Sequence, residues 1–247
     1  SLPALAELYN WQTALVGLAV AAVVAIVIVQ PIRIKLDDDR DPTQPITFTS
    51  VTSNIALVWR HNTLRPISIA AFTYASMQVS LFALYVTLLV NQIGLSLIEA
   101  GWFYAVMQGA GVIARIGWGV VSDRWMSARP LLALIGIGSI AATTALTFAE
   151  PGWSTMQLVI LSVALGSTIV GWNGVYLAEI PRQVEQHAVS AATSGTVMFS
   201  FAGIVFGPAS FAAMAAYSGG YLMPVISLNV LILISAIYLM SGNWRRM

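Results

Sequence analysis

The chain has 247 residues, of which 58% are hydrophobic and 9% charged, against roughly 25% charged in an ordinary soluble domain. So little polar material excludes a water-soluble globule, and so much apolar material excludes disorder. A net charge of +1 offers no grip on nucleic acid, and the lack of cysteine excludes a disulfide framework, a thiolate metal site and a cysteine nucleophile.

The class this leaves is an all-α, polytopic integral membrane protein. A helix crosses about 30 Å of hydrocarbon with roughly 20 apolar residues. In chain order the stretches that qualify are 11–30, 67–91, 100–121, 131–148, 155–178, 190–217 and 221–240, which predicts seven transmembrane helices. Strands of a membrane barrel would be about ten residues long with alternating polarity, unlike these continuous apolar runs. The connections are short except for 32–65. That segment carries Asp37, Asp38, Asp39 and Asp41, then an apolar stretch at 48–59 expected to form a short interfacial helix capped by Ser50 or Ser53. No glycine-bearing calcium loop follows the aspartates, so the segment reads as a solvated linker.

Positive residues are retained in the cytoplasm. With 32–65 inside, Arg33, Lys35, Arg40, Arg60, Arg65, Arg124, Arg129, Arg182, Arg245 and Arg246 all fall on that side, and only Arg115 lies within a span. Trp11, Trp102 and Trp153 mark the outer boundary, and Trp59, Trp125 and Trp244 the inner one. The C-terminus is thus expected in the cytoplasm and the N-terminus outside, in a plasma membrane such as a bacterial inner membrane. An odd helix count with an exported start lacking a signal peptide suggests a piece of a longer chain.

Between the third and fourth spans the sequence reads Gly119-Val120-Val121-Ser122-Asp123-Arg124-Trp125, with Arg129 beyond. This resembles the cytoplasmic signature of the major facilitator superfamily, although Met126 stands where the family pattern has glycine. The resemblance covers nearly the whole chain. It implies that residues 1–31 hold the sixth helix of the family, 32–65 the cytoplasmic loop between halves, and 66–247 the C-terminal six-helix bundle, helices seven to twelve. The N-terminal half of the same transporter then becomes the expected partner, alongside the lipid bilayer. Gly119 would allow close helix approach. Asp123 would accept hydrogen bonds from the helix starting near Ser190, forming with Arg124 a latch that opens and closes. Glu179-Ile180-Pro181-Arg182 resembles the family's acidic-proline-arginine segment and is expected to pair with Arg124 or Arg129. Gly203-Ile204-Val205-Phe206-Gly207-Pro208 looks like the glycine-proline motif of antiporter members; small-residue spacing with a proline points to close packing and a kink.

Arg115 is the residue from which a function is read. A guanidinium near mid-membrane costs about 2.5–3.5 kcal/mol on insertion scales, so it should face a cavity or a partner, and its planar fork suits a carboxylate. The segment from Ala114 to Gly119 resembles the eighth helix of monocarboxylate and related organic-anion carriers, in which an arginine binds the substrate carboxylate. Tyr104, Gln108, Gly111 and Arg115 share one helical face, as do Tyr74, Gln78 and Tyr85 on the span before it. Ser162, Gly166, Asn173 and Tyr176 do so on the fifth span. The expected solute contacts are therefore Arg115, Gln108, Tyr104, Tyr74, Gln78, Asn173 and Tyr176.

These readings converge on a secondary transporter that moves a small organic anion, such as a monocarboxylate, by alternating access, with no cofactor, metal, catalytic residue or nucleic-acid partner. No Walker motif is present to supply ATP-driven transport. Two alternatives stand beside it: a seven-helix receptor or sensor, and a superfamily carrier of a neutral solute or drug in which Arg115 is structural. A retinal-type sensor would need a membrane lysine, and the only lysine is Lys35 in a loop. An intramembrane enzyme would need a buried constellation around His61 or His187, and neither has one in the sequence.

Overall fold

The computed structural model describes residues 11–36 and 48–241. The acidic run at 37–42 and Trp244, Arg245 and Arg246 lie outside the described residues, as do the side chains of Trp11, Arg33 and Lys35. The described chain is helical, with no strand. Its α-helices are α1 (Trp11–Leu36), α2 (Phe48–Arg60), α3 (Leu64–Asn91), α4 (Leu97–Arg124), α5 (Ala128–Thr147), α6 (Thr155–Leu165), α7 (Asn173–Glu179), α8 (Val189–Ser218) and α9 (Leu222–Met240).

Six spans among the described residues are long and apolar enough to cross a membrane: Leu64–Asn91, Leu97–Arg124, Ala128–Thr147, Thr155–Arg182, Gln186–Ser218 and Leu222–Met240. In α1 the apolar stretch is Leu15–Pro31, and its described side chains are exposed along their length. The span Thr155–Arg182, the fifth counted from the sequence and the fourth of these six, departs from the expected continuous helix. It runs as α6, then a π turn (Gly166–Val170), then α7, and ends in a 3-10 turn (Ile180–Arg182).

Helix starts follow local chemistry. Ser96 and Glu99 form a reciprocal capping box at α4, and Ser154 with Gln157 does the same at α6. The start of α3 is closed by a different device, since His61 Nδ1 accepts from the backbone N–H groups of Thr63 and Leu64, at 3.3 Å each. The stop of α8 is Gly219 at φ 70°, a left-handed cap that a residue with a Cβ would strain.

Apolar lipid gives helices no hydrophobic reason to associate, so packing rests on small residues and buried hydrogen bonds. The α3–α8 seam shows both. A Cβ at Gly203 would lie 2.3 Å from Phe72 O, and one at Gly207 would lie 2.5 Å from Ser76 Cα. Ser76 Oγ donates across the seam to Gly203 O at 3.2 Å. The sequence-based expectation of close packing at Gly203 and Gly207 thus meets a real contact, while Pro208 sits half-buried inside α8. The α5–α9 seam carries Thr143 Oγ1 to Asn229 Oδ1 at 2.8 Å and Asn229 Nδ2 to Thr144 Oγ1 at 3.3 Å.

Neither Ser50 nor Ser53 caps α2, which begins earlier, at Phe48. That helix docks on α8 instead of lying apart. Asn54 Nδ2 donates to Ser194 Oγ at 2.8 Å, Trp59 stacks on Phe199 at 6.3 Å, and a Cβ at Gly195 would lie 2.4 Å from Asn54 O.

Candidate functional site

The contact between α4 and the broken span is built from glycine. A Cβ at Gly166 would lie 2.1 Å from Met107 O, one at Gly111 would lie 2.5 Å from Val170 Cβ, and one at Gly174 would lie 2.8 Å from Arg115 O. The two backbones therefore touch along the length that contains Arg115. Gly111 belongs to this seam and is buried against Val170. Gly119 has nothing within 4 Å of its Cβ position, so the close approach expected there is found at Gly111, Gly166, Gly171 and Gly174 instead.

A π turn shifts the backbone ladder by one residue, and the bond from Gly171 N to Gly166 O at 3.1 Å is the i to i+5 link that defines it. Two carbonyls of this turn are met by side chains of α4. Arg115 Nε donates to Val170 O at 3.2 Å, and Trp118 Nε1 donates to Ser167 O at 2.7 Å. Arg115 is otherwise exposed, and its terminal nitrogens Nη1 and Nη2 form no hydrogen bond among the described residues. By helical rise the Arg115 backbone stands about 12 Å along α4 from Asp123. The geometry gives a cation anchored by one nitrogen, with the other two presented outward.

The other predicted residues divide. Gln78 Oε1 accepts from Trp172 Nε1 at 3.1 Å and from Asn173 Nδ2 at 3.3 Å, joining α3 to the broken span next to the π turn. Gln108 Nε2 donates to Tyr104 OH at 3.3 Å, and the Tyr104 ring meets Phe82 edge-on at 6.0 Å; both residues are half-buried. Tyr74 and Tyr176 are 4% and 2% exposed and have partners of their own. Tyr74 OH donates to Leu132 O at 2.7 Å, and Tyr176 OH accepts from Ser200 Oγ at 3.3 Å. Their helical positions read as solute-facing, but burial and these bonds place both in the core. Between them stands Trp172, 1% exposed, edge-on to Tyr74 at 5.6 Å and tilted against Tyr176 at 5.3 Å.

At the far end of α4, Asp123 Oδ1 takes Arg182 Nη2 at 2.6 Å. This replaces the expected bond from Asp123 to the helix start near Ser190. Arg182 also lies 3.9 Å from Glu179, whose Oε1 accepts from Gln183 Nε2 at 2.5 Å. Glu179 and Arg129 interact electrostatically, as the sequence suggests, whereas Arg124 is exposed and forms no ion pair among the described residues. The motif that closes α4 is thus tied to the end of the broken span through Asp123 and Arg182.

Trp118, Trp172 and the π turn escape sequence reading. The available signal was Gly166, Gly171 and Gly174 clustered with Ser167 and Thr168 in one apolar span. Among the described residues no group of three or more His, Asp or Glu stands together to hold a metal.

Residues 2–208 match the family model described as Major Facilitator Superfamily. No curated protein matches the chain.

Proposed function

The chain belongs to the major facilitator superfamily, an integral membrane transporter family, and we propose that it carries the anion-recognising half of a secondary transporter. The solute is a small organic anion such as a monocarboxylate, moved by alternating access between this bundle and an N-terminal half, with the C-terminus in the cytoplasm. The observation that supports this reading is Arg115, held through Nε on the Val170 carbonyl with neither terminal nitrogen hydrogen-bonded among the described residues. A charge within a span is expected to face a cavity or a partner and not lipid. Two parallel N–H groups match the two oxygens of a carboxylate. Gln78 and Asn173, bonded to each other next to the π turn, and Gln108 and Tyr104, about 10 and 16 Å further along α4 by helical rise, are the neutral hydrogen-bonding groups this reading assigns to the solute path. Tyr74 and Tyr176 support the wall. The Asp123–Arg182 pair, with Glu179 and Arg129, forms a contact suited to opening and closing.

Uptake of radiolabelled pyruvate tests the reading, in cells expressing the chain together with any upstream sequence of its gene. Arg115→Ala removes a charge-assisted contact worth about 2–5 kcal/mol, so uptake efficiency should fall by roughly thirtyfold or more. Arg115→Lys should recover part of it. Uptake unchanged in Arg115→Ala would make this arginine structural and favour a neutral solute.

A further inference from the structure

We propose that the π turn Gly166–Val170 is a bracket that aims the Arg115 fork, and that Trp118 is the positioning residue that holds the bracket in register. The inference rests on the anion-site reading of Arg115 and adds how that site is shaped. An arginine side chain has several rotatable bonds and loses specificity unless something fixes its plane. Here Nε is fixed on Val170 O, while Trp118, three residues along α4, fixes the same turn through Ser167 O. Residues three apart on a helix stand on neighbouring positions of one face, so the two donors grip the turn side by side. Gly174 and Gly171 let that grip close. A Cβ at Gly174 would meet Arg115 O at 2.8 Å, and one at Gly171 would meet Ala114 Cβ at 2.9 Å and Trp118 Cδ1 at 3.0 Å.

The bracket has a chemical consequence. A guanidinium offers an oxyanion either the edge made by Nε and one terminal nitrogen or the end made by Nη1 and Nη2. With Nε committed to Val170, only the end is open. The site then favours a planar oxyanion approaching along the guanidinium axis, as a carboxylate does, and the fit depends on a turn that touches no solute.

The test pairs kinetics with a readout that needs no transport. In the uptake assay with radiolabelled pyruvate, Trp118→Phe keeps an aromatic ring, smaller than indole, and loses the donor. KM is expected to rise about fivefold, the weight of one neutral hydrogen bond, while Vmax and the amount of protein in the membrane stay within about twofold. In the same full chain held in nanodiscs, hydrogen exchange at the amides of residues 171–176 should quicken in Trp118→Phe and in Arg115→Ala. An unchanged KM, or a fall in Vmax and membrane protein at constant KM, would overturn the positioning role of Trp118. Exchange unchanged in both variants would overturn the bracket whatever the solute. If wild type takes up no pyruvate, or Arg115→Ala takes it up undiminished, the anion reading falls by itself, and accelerated exchange still separates that failure from failure of the bracket.

Discussion

A hydroxyl enclosed between membrane helices has no water to turn to, so its one partner matters. Tyr74 illustrates this, its OH resting on Leu132 O at 2.7 Å and its ring against Trp172. Tyr74→Phe keeps the ring and should lower stability by about 1 kcal/mol, read from thermal unfolding in detergent, with pyruvate uptake retained. Loss of uptake at unchanged stability would return Tyr74 to the solute. The sequence marked Tyr74, Gln78, Asn173 and Tyr176 as facing inward, because a polar side chain in a span must turn from lipid. It was silent on which of them find a protein partner. That depends on the distance between helices, and distance is set by residues on other segments. Arg115 was legible for the opposite reason, since a lone charge in an apolar span is conspicuous whatever surrounds it.

At the scale of the helix, the glycines separate into those that close a seam and those that do not. Gly207 faces Ser76 with its Cβ position 2.5 Å from the backbone, whereas Gly119 has open space. Gly207→Val should therefore destabilise the bundle by about 1–3 kcal/mol. Gly119→Ala should be neutral or gain up to about 1 kcal/mol from helix propensity. Thermal unfolding of the two variants side by side measures both. A cost at Gly119 equal to that at Gly207 would contradict the seam assignment. Span positions were readable because apolar length is a property of the sequence alone, and most boundaries fell within a few residues. The break in the fourth span was not readable. A one-residue slip in the backbone ladder leaves mean hydropathy untouched, and glycine with serine and threonine also occurs in unbroken membrane helices. The start of α2 was missed because Ser53 and Ser50 bond to each other, with Ser53 Oγ donating to Ser50 O at 2.9 Å, inside a helix already under way.

For the whole molecule, the asymmetry of lysine and arginine predicts an orientation that labelling can test directly, since the chain has no cysteine to give background. Glu185 lies between the fourth and fifth spans and is exposed, and Ser218 ends α8 at the opposite membrane face. Ser218→Cys should react with an impermeant maleimide on intact cells, and Glu185→Cys only after permeabilisation. The reverse pattern would invert the orientation and place the Asp123–Arg182 pair outside. The bundle of six spans was legible from length and charge, and the family from the Gly119-to-Arg124 motif. The tie between Asp123 and Arg182 was not, because the two are 59 positions apart and meet only once the broken span has run its course.

The seat of α2 on α8 makes the segment ahead of α3 a passenger of α8. Asn54 is bonded to Ser194, and Trp59 is stacked on Phe199. A fluorescent domain spliced before Phe48 would ride with α8, and its distance to a dye on α5 would report whether that helix moves when solute is added, without any alteration inside the bundle.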